Sequence, residues 1–435
     1  MLLCCCTASN KIVPVIDISI LYDETAFTGL TDAYMECAQQ IDAALTGHGL
    51  FGVTGHMLTG PPSTEGLNAA KNLFRYDKSE LNRVRVQRKA SEESESESVL
   101  ASTTQTVHSE AMRGYIAFGA ESGLQGKFFE AKEGFSYGFG TLSAEGEGER
   151  EGEVCTACTR TPLHGDNVWP APPCVHEDAV PSASCAAAHA ATVRALECVF
   201  SGTVGISMVL SRAIAAINVH RIDLLLQVAG DADADAAEAV GVDQRAKLLE
   251  QRQRWASIEE LLRCGDEISI LRLFHYNNID KLAAAGGGEQ EQLSSELGSS
   301  PHTDWGFLTV ILQDGVGGLQ FLDREDAVWT DVVPVEGAIV INGGDYLSLY
   351  SGQRYHSPVH RVLAPRGEDS DRFSFVLFFY PNYFSVVPSE VEVAEIAVGN
   401  IEEHNTLLDC ADAPATAAFG DYMIEKWRGV FNSKY

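Results

Sequence analysis

From about Glu267 onward the sequence breaks into short apolar segments set between glycine-rich turns: "ISILRLFHY", "FLTVILQ", "GLQFL", "AIVING", "HRVLA" and "RFSFVLFFY". Segments this short, rich in valine, isoleucine and phenylalanine, suit strands and are too brief for packed helices. Their succession over roughly a hundred residues predicts a sandwich or jelly roll. Upstream the pattern is mixed. "KIVPVIDISI" predicts a strand from Ile12 to Ile20, and "LFGVTGH" another. Between them Thr31 and Asp32 can cap a helix that carries Tyr34, Cys37, Ala38, Ile41 and Leu45 on one face, with Gly47 and Gly49 to stop it. A second helical stripe is Ile206, Leu210, Ala213, Ile214 and Ile217, and the chain ends in a helix around "DYMIEKWRGVF".

At 435 residues and 45% apolar, the chain can bury a large core. Its 31 basic and 61 acidic side chains leave a net charge of −30. Such a surface repels phosphate backbones and anionic membranes, so neither is an expected partner; a small anion in a locally basic cleft is still admitted. No uninterrupted apolar run of about 18 residues suits a spanning helix. Four low-complexity, mostly acidic segments hold much of the acidic excess: 91–98, 144–153, 231–239 and 283–292. They cannot bury enough apolar area to offset their ordering entropy, and are expected to be surface loops or disorder. Eleven cysteines lack a disulfide spacing, and "MLLCCCTASNK" lacks the apolar region of a signal peptide, which points to a reducing cytoplasm. S-acylation of Cys4, Cys5 and Cys6 is a weaker reading than a flexible tail. Cys155 and Cys158 form half a zinc pattern with no second half.

One stretch resists a purely structural reading. "PHTDWGFLTVILQ" places His302 and Asp304 at the mouth of a strand bound for an apolar core, where both are costly to bury. At i and i+2 on a strand they project to one face. An imidazole and a carboxylate are two thirds of the facial triad that holds non-haem Fe(II). "SPVHRVLAP" offers a third donor, His360, 56 residues after Asp304. Twelve and fourteen residues further on, "DRFSFVLFFY" carries Arg372 and Ser374, again at i and i+2. An arginine at the end of an apolar strand needs an anionic partner, and its fork pairs bidentately with a carboxylate. A metal at one end of a barrel and a carboxylate clamp at the other describe a site for a dicarboxylic keto acid.

These residues resemble the 2-oxoglutarate and Fe(II)-dependent dioxygenases of the isopenicillin N synthase-like family. "LRLFHYNN", "HTDWGFLTVILQDGVGGLQF", "VWTDVVPVEGAIVINGGDYL", "SPVHRV" and "RFSF" follow the family's order and close to its spacing. The N-terminal half resembles the family's lead-in through "VPVIDIS", "GLFGVTGH", "RGYIAFGAE", "KEGFSYG" and "LHGDNVWP". The resemblance implies a mainly β fold with α, a double-stranded β-helix (jelly-roll) core flanked by helices. It implies Fe(II) on His302, Asp304 and His360, 2-oxoglutarate as cosubstrate on Arg372 and Ser374, and O2 as oxidant. Tyr276 matches a tyrosine whose hydroxyl helps hold the cosubstrate, although Phe274 stands where the family often has asparagine, and Asn277 and Asn278 where it has prolines. The expected function is oxidation, by hydroxylation or desaturation, of a small molecule by a monomeric enzyme. A relative that oxidises its substrate without 2-oxoglutarate, or a non-catalytic binding protein on the same fold, are the alternatives.

The same reading divides the chain into a tail (1–11), an N-terminal region (12–180), central helices with an acidic insertion (181–264), the jelly-roll core (265–385) and a C-terminal segment (386–435). His356, four before His360, competes for the metal role, but the Arg-Val after His360 and the downstream Arg372 and Ser374 favour His360. His275 is expected beside the clamp strand. Asn342 and Asp345 read as turn chemistry, and Trp305 either lines the pocket or fills core.

Overall fold

The computed structural model describes residues 13–86, 112–123, 128–139, 161–172, 183–231, 242–263, 268–284, 296–368, 370–386 and 418–431. The N-terminal tail, Cys155 and Cys158 lie outside them. So do the acidic segments, apart from Asp231, Ala283 and Ala284, which end helices.

Fourteen strands are described: β1 (Val15–Asp17), β2 (Leu50–Thr54), β3 (Gly114–Ile116), β4 (Ser122–Gly123), β5 (Phe128–Phe129), β6 (Lys132–Gly138), β7 (Ile270–Tyr276), β8 (Leu297–His302), β9 (Leu308–Gln313), β10 (Leu319–Leu322), β11 (Trp329–Asp331), β12 (Ile339–Gly343), β13 (His360–Leu363) and β14 (Arg372–Phe379). Eight form one sheet in the order β1-β2-β12-β9-β14-β7-β6-β3, and four form a second in the order β11-β10-β13-β8. The large sheet therefore draws strands from both the N-terminal region and the 265–385 stretch.

Alternation along β14 explains how the layers assemble. Phe373, Phe375 and Leu377 face a helical layer and join one core cluster with Leu210 and Ile214. Each such burial contributes about 1.5–3 kcal/mol. Val376, on the opposite face, packs with Phe274 of β7, Ile311 of β9, Phe321 of β10 and Val362 of β13, so apolar residues of both sheets meet in a second cluster. Arg372 and Ser374 share that inner face, which is what puts them inside the sandwich.

The helical layer is dominated by the helix Ala183–Asp231, which packs on β14 and β9. It corrects one expectation. An 18-residue window within Ala183–Val228 has mean hydropathy 1.5, so by length and composition this helix could cross a membrane, yet 72% of that window is buried inside the protein. Scattered serines and threonines hid the run in the sequence. Their hydroxyls are buried with partners because each bonds within the helix: Thr203 to the Val199 carbonyl at 2.9 Å, Ser207 to Thr203 at 2.9 Å, Ser211 to Ser207 at 2.7 Å.

Other expectations need adjustment. The strand expected over Ile12–Ile20 is only β1, because the Asp17 carboxylate accepts from the Ser19 amide at 2.9 Å and turns the chain into a 3-10 helix, Ser19–Tyr22. The helix Asp32–Gly47 has Thr31 as its cap, its hydroxyl accepting from the Tyr34 amide at 3.4 Å. His302 does not open the "FLTVILQ" strand. It ends β8, in the smaller sheet, and the loop from Thr303 to Phe307 crosses to β9 in the larger one.

Candidate active site

Three elements bring His302, Asp304 and His360 together. β13 pairs antiparallel with β8, and His360 sits directly opposite His302, their ring centroids 4.3 Å apart. Asp304 arrives on the crossing loop. That loop is tied down by the Asp345 amide, which donates to the Asp304 carbonyl at 2.8 Å, and by Thr303 Oγ1, which donates to the Asp345 carboxylate at 3.0 Å. Gly344 permits this approach, since a Cβ there would collide with the Gly306 carbonyl oxygen. Asp345 thus positions the loop from the first residue of the helix Asp345–Tyr350, and Asn342 lies within β12, so neither is turn chemistry.

One ligating atom from each of the three lies within 4.8 Å of the others. His302 Nε2 is 3.7 Å from Asp304 Oδ1, and His360 Nε2 is 3.6 Å from Oδ2. Each imidazole donates its Nδ1–H to a backbone carbonyl, His302 to Ser300 at 2.7 Å and His360 to Pro358 at 3.1 Å. Those bonds leave both Nε2 lone pairs aimed at the carboxylate. Desolvation first, and the adjacent His360 second, push the His302 imidazole down to about 4, so it is a neutral donor at ordinary pH. Asp304 is 4% exposed, and its Oδ2 has no hydrogen-bond partner. Two imidazoles and a buried carboxylate with an unsatisfied oxygen form a donor set suited to a divalent cation with open positions. His356 stands apart, its ring against Arg324.

The same cavity, about 150 Å³, reaches Arg372, Ser374 and Tyr276. Arg372 is 1% exposed. It donates to Gln313 Oε1 at 2.8 Å and to Ser374 Oγ at 3.4 Å, while its Nε has no partner. Among the described residues no carboxylate is within ion-pair reach of it. A buried cation so placed is stabilised by an anion entering the cavity. Tyr276, opposite Arg372 in the β14–β7 register, offers its ring to the guanidinium. His275, on the other face of β7, stacks on Phe373 at 4.6 Å. Trp305 lines the cavity and also packs against the main core.

Sequence reasoning missed several residues in and beside the cavity. Gln313 sits at the end of β9, on Ser374's register. Arg272 interrupts an apolar strand four residues before Tyr276, on its face, and the argument made for Arg372 would have found it. Glu121 ends "RGYIAFGAE" and Lys132 opens "KEGFSYG", two stretches read only for their family resemblance; Glu130 lies between them, and Trp427 comes from the C-terminal helix.

Residues 268–381 match the family model described as the 2OG-Fe(II) oxygenase superfamily. Among curated proteins, the chain is similar to a "Probable iron/ascorbate oxidoreductase" of Dictyostelium discoideum, 34% identical over 171 residues that cover 38% of this chain and 46% of that one. It is also similar to the 2-oxoglutarate-Fe(II) type oxidoreductase hxnY of Emericella nidulans, 39% identical over 115 residues, 26% of this chain and 30% of that one. The matched stretch thus spans less than half the length of either relative. Among solved structures, full-length Neurospora crassa T7H in complex with alpha-KG and thymine superposes with a TM-score of 0.56 at 19% identity, covering 97% of each chain. That likeness establishes the fold, a jelly-roll core with flanking helices.

Proposed function

We propose that this chain, whose residues 268–381 form a 2OG-Fe(II) oxygenase superfamily domain, is a non-haem Fe(II)- and 2-oxoglutarate-dependent oxygenase acting on a small molecule. The observation that carries the reading is one cavity holding both a three-donor cluster and a buried guanidinium that, among the described residues, has no carboxylate beside it. His302, Asp304 and His360 would hold the iron, and Arg372, with Ser374 and Tyr276 beside it, the distal carboxylate of 2-oxoglutarate. Bound there, iron and cosubstrate would supply the oxidising chemistry toward O2, with 2-oxoglutarate converted to succinate and carbon dioxide.

The chain's own part is orientation and exclusion of water. The Ser300 and Pro358 carbonyls fix which imidazole nitrogen would face the metal, and the Asp345 bonds hold the loop that carries Asp304. Gln313 orients the Arg372 fork, and Ile311, Leu319, Val362 and Val376 line the cavity with apolar side chains. The order of motifs supports placement in the isopenicillin N synthase-like group. The division of the chain given above, a monomeric state, and the exclusion of nucleic acid and membranes on charge grounds belong to the proposal. So does a cytoplasmic setting, which the free thiols of Cys37 and Cys198 support and the disulfide at Cys185 opposes.

The test is an anaerobic titration of the Fe(II)-loaded protein with 2-oxoglutarate. Chelation by the keto acid gives a visible charge-transfer band, and with oxygen admitted, labelled carbon dioxide is released. Both should vanish in His302→Ala. A wild-type protein that binds iron without developing the band would instead favour an oxidase that does not use 2-oxoglutarate.

A further inference from the structure

Beyond the triad and the Arg372 clamp, the cavity has a second polar region. β7 presents Tyr276, Phe274 and Arg272 on one face, so Arg272 lies about 13 Å along the strand from the clamp. Arg272 Nη1 donates to Glu121 Oε1 at 2.5 Å, and its Nε has no partner. Lys132 Nζ lies 2.8 Å from Glu130 Oε2 and 3.6 Å from Glu121 Oε2. Glu130 also accepts from the amide and hydroxyl of Ser300, two residues before His302. Two cations thus face two anions, all four nearly buried and all lining the cavity. Unlike the Arg372 end, this end is already electrically balanced.

The remaining walls are aromatic. The Arg272 guanidinium lies 5.8 Å from the Phe378 ring centre, Phe378 stacks with Tyr380 at 17°, and Trp305 and Trp427 line the same space. Tyr380, Arg272 and Asp304 line the one cavity, and Glu130 holds Ser300 two residues before His302, which sets this region beside the metal cluster.

We propose, resting on the function proposed above, that this region binds the prime substrate, and that the substrate is an uncharged, flat, ring-bearing molecule whose carbonyl edge is read by Arg272 under the control of Glu121. An anionic substrate would have to displace Glu121 from Arg272 and then sit beside two buried carboxylates. A cation would meet Arg272 and Lys132 with no unpaired anion to receive it. A neutral ring loses little on leaving water, gains stacking on the aromatic walls, and takes the spare guanidinium N–H as donor. Arg272 is then the specificity-determining residue.

The test is a calorimetric titration of the full chain, with Fe(II) and 2-oxoglutarate and without oxygen. The probes are benzamide and 2-quinolinone as neutral rings and benzoate as the matched anion. The neutral probes should bind at least about tenfold more tightly than benzoate. Glu121→Gln releases the charge of Arg272 and should tighten benzoate by about tenfold while changing benzamide little; Arg272→Leu should weaken the neutral probes by about tenfold. Tighter binding of benzoate than of benzamide to the wild type, binding of neither, or an unchanged ratio in Glu121→Gln would each overturn the assignment. The charge-transfer band read on the same samples keeps the two proposals apart. Its absence with the amide preference intact sinks the cosubstrate reading alone, and its presence with a carboxylate preference sinks this one alone.

Discussion

The guanidinium carbon of Arg372 lies 4.7 Å from the centre of the Tyr276 ring, on directly paired positions of β14 and β7. The ring holds the planar fork flat while Gln313 takes one of its donors, leaving the Nε edge for a ligand. Lysine in place of arginine keeps the charge and loses the fork. Arg372→Lys is expected to weaken 2-oxoglutarate by about 1.5–3 kcal/mol, the worth of a charge-assisted hydrogen bond. Tyr276→Phe retains the platform and should cost less than about 1 kcal/mol. Anaerobic titrations of the two variants decide between fork and hydroxyl; a larger loss in Tyr276→Phe would make the hydroxyl the main anchor.

Asp304 offers a prediction in which the sign depends on metal. Its buried Oδ2 has no donor, which is costly in the metal-free protein. Asp304→Ala should therefore leave the metal-free melting temperature unchanged or raised. Adding a divalent cation at about 100 times its Kd should stabilise the wild type by about 2.7 kcal/mol and the variant by none. Scanning calorimetry with and without Fe(II) or Mn(II) reads both effects. An equal gain in the two proteins would place the bound ion elsewhere.

The difference between what was legible and what was not follows from how each residue is stabilised. β9 and β14 were readable because their apolar runs are buried on both faces. His302, Asp304 and Arg372 stood out because they break such patterns. β8, "LGSSPH", was invisible since glycine, serine and proline carry little strand preference, and only its pairing with β13 makes it a strand. β6, "KEGFSYG", opens with Lys132 and Glu133, two charged residues that the sequence alone does not place in a core; both are buried because Lys132 pairs with Glu130 and Glu121, and Glu133 with Lys78. Pairing of that kind leaves no local trace, so of the second polar region of the cavity only Arg272 could have been picked out from the sequence.

Gly298 tests whether the Tyr276 platform is under tight packing. A Cβ at Gly298 would lie 2.5 Å from Tyr276 Cδ1. Gly298→Ala should cost about 1–3 kcal/mol of stability by overpacking and should displace the ring beneath Arg372. Loss of stability and loss of 2-oxoglutarate affinity are expected together. Gly315→Ala is the control, because a Cβ at Gly315 would meet nothing within 4 Å. If Gly298→Ala binds 2-oxoglutarate like the wild type, the Tyr276 ring is not what orients the fork.

His275 carries the pH prediction. Its Nδ1 lies 2.8 Å from Glu133 Oε1 and its Nε2 3.0 Å from Asp371 Oδ2, so both nitrogens donate to carboxylates and the ring is an imidazolium. Burial alone would lower it; the hydrogen bonds to Asp371 and Glu133 overcome that and raise it above the ordinary 6.5. Asp371 is held below 3.8, first by the bond from His275, and Glu133 below 4.5, where His275 and Lys78 outweigh burial. For a raised histidine, the stabilisation is complete below the unfolded value of 6.5 and is lost as pH climbs through the folded value. The carboxylates behave oppositely: their contribution is present above their unfolded values of 3.8 and 4.5 and is lost as pH falls through the lower folded ones. The trio therefore stabilises most between those limits, and its contribution shrinks toward alkaline pH. His275→Gln removes it at every pH, so the gap in denaturation midpoint between wild type and variant should be wide near about pH 6 and narrow near about pH 9. A gap of equal width at both would mean that the ring is uncharged in the folded protein, leaving Glu133 to be held by Lys78 and Tyr115 alone.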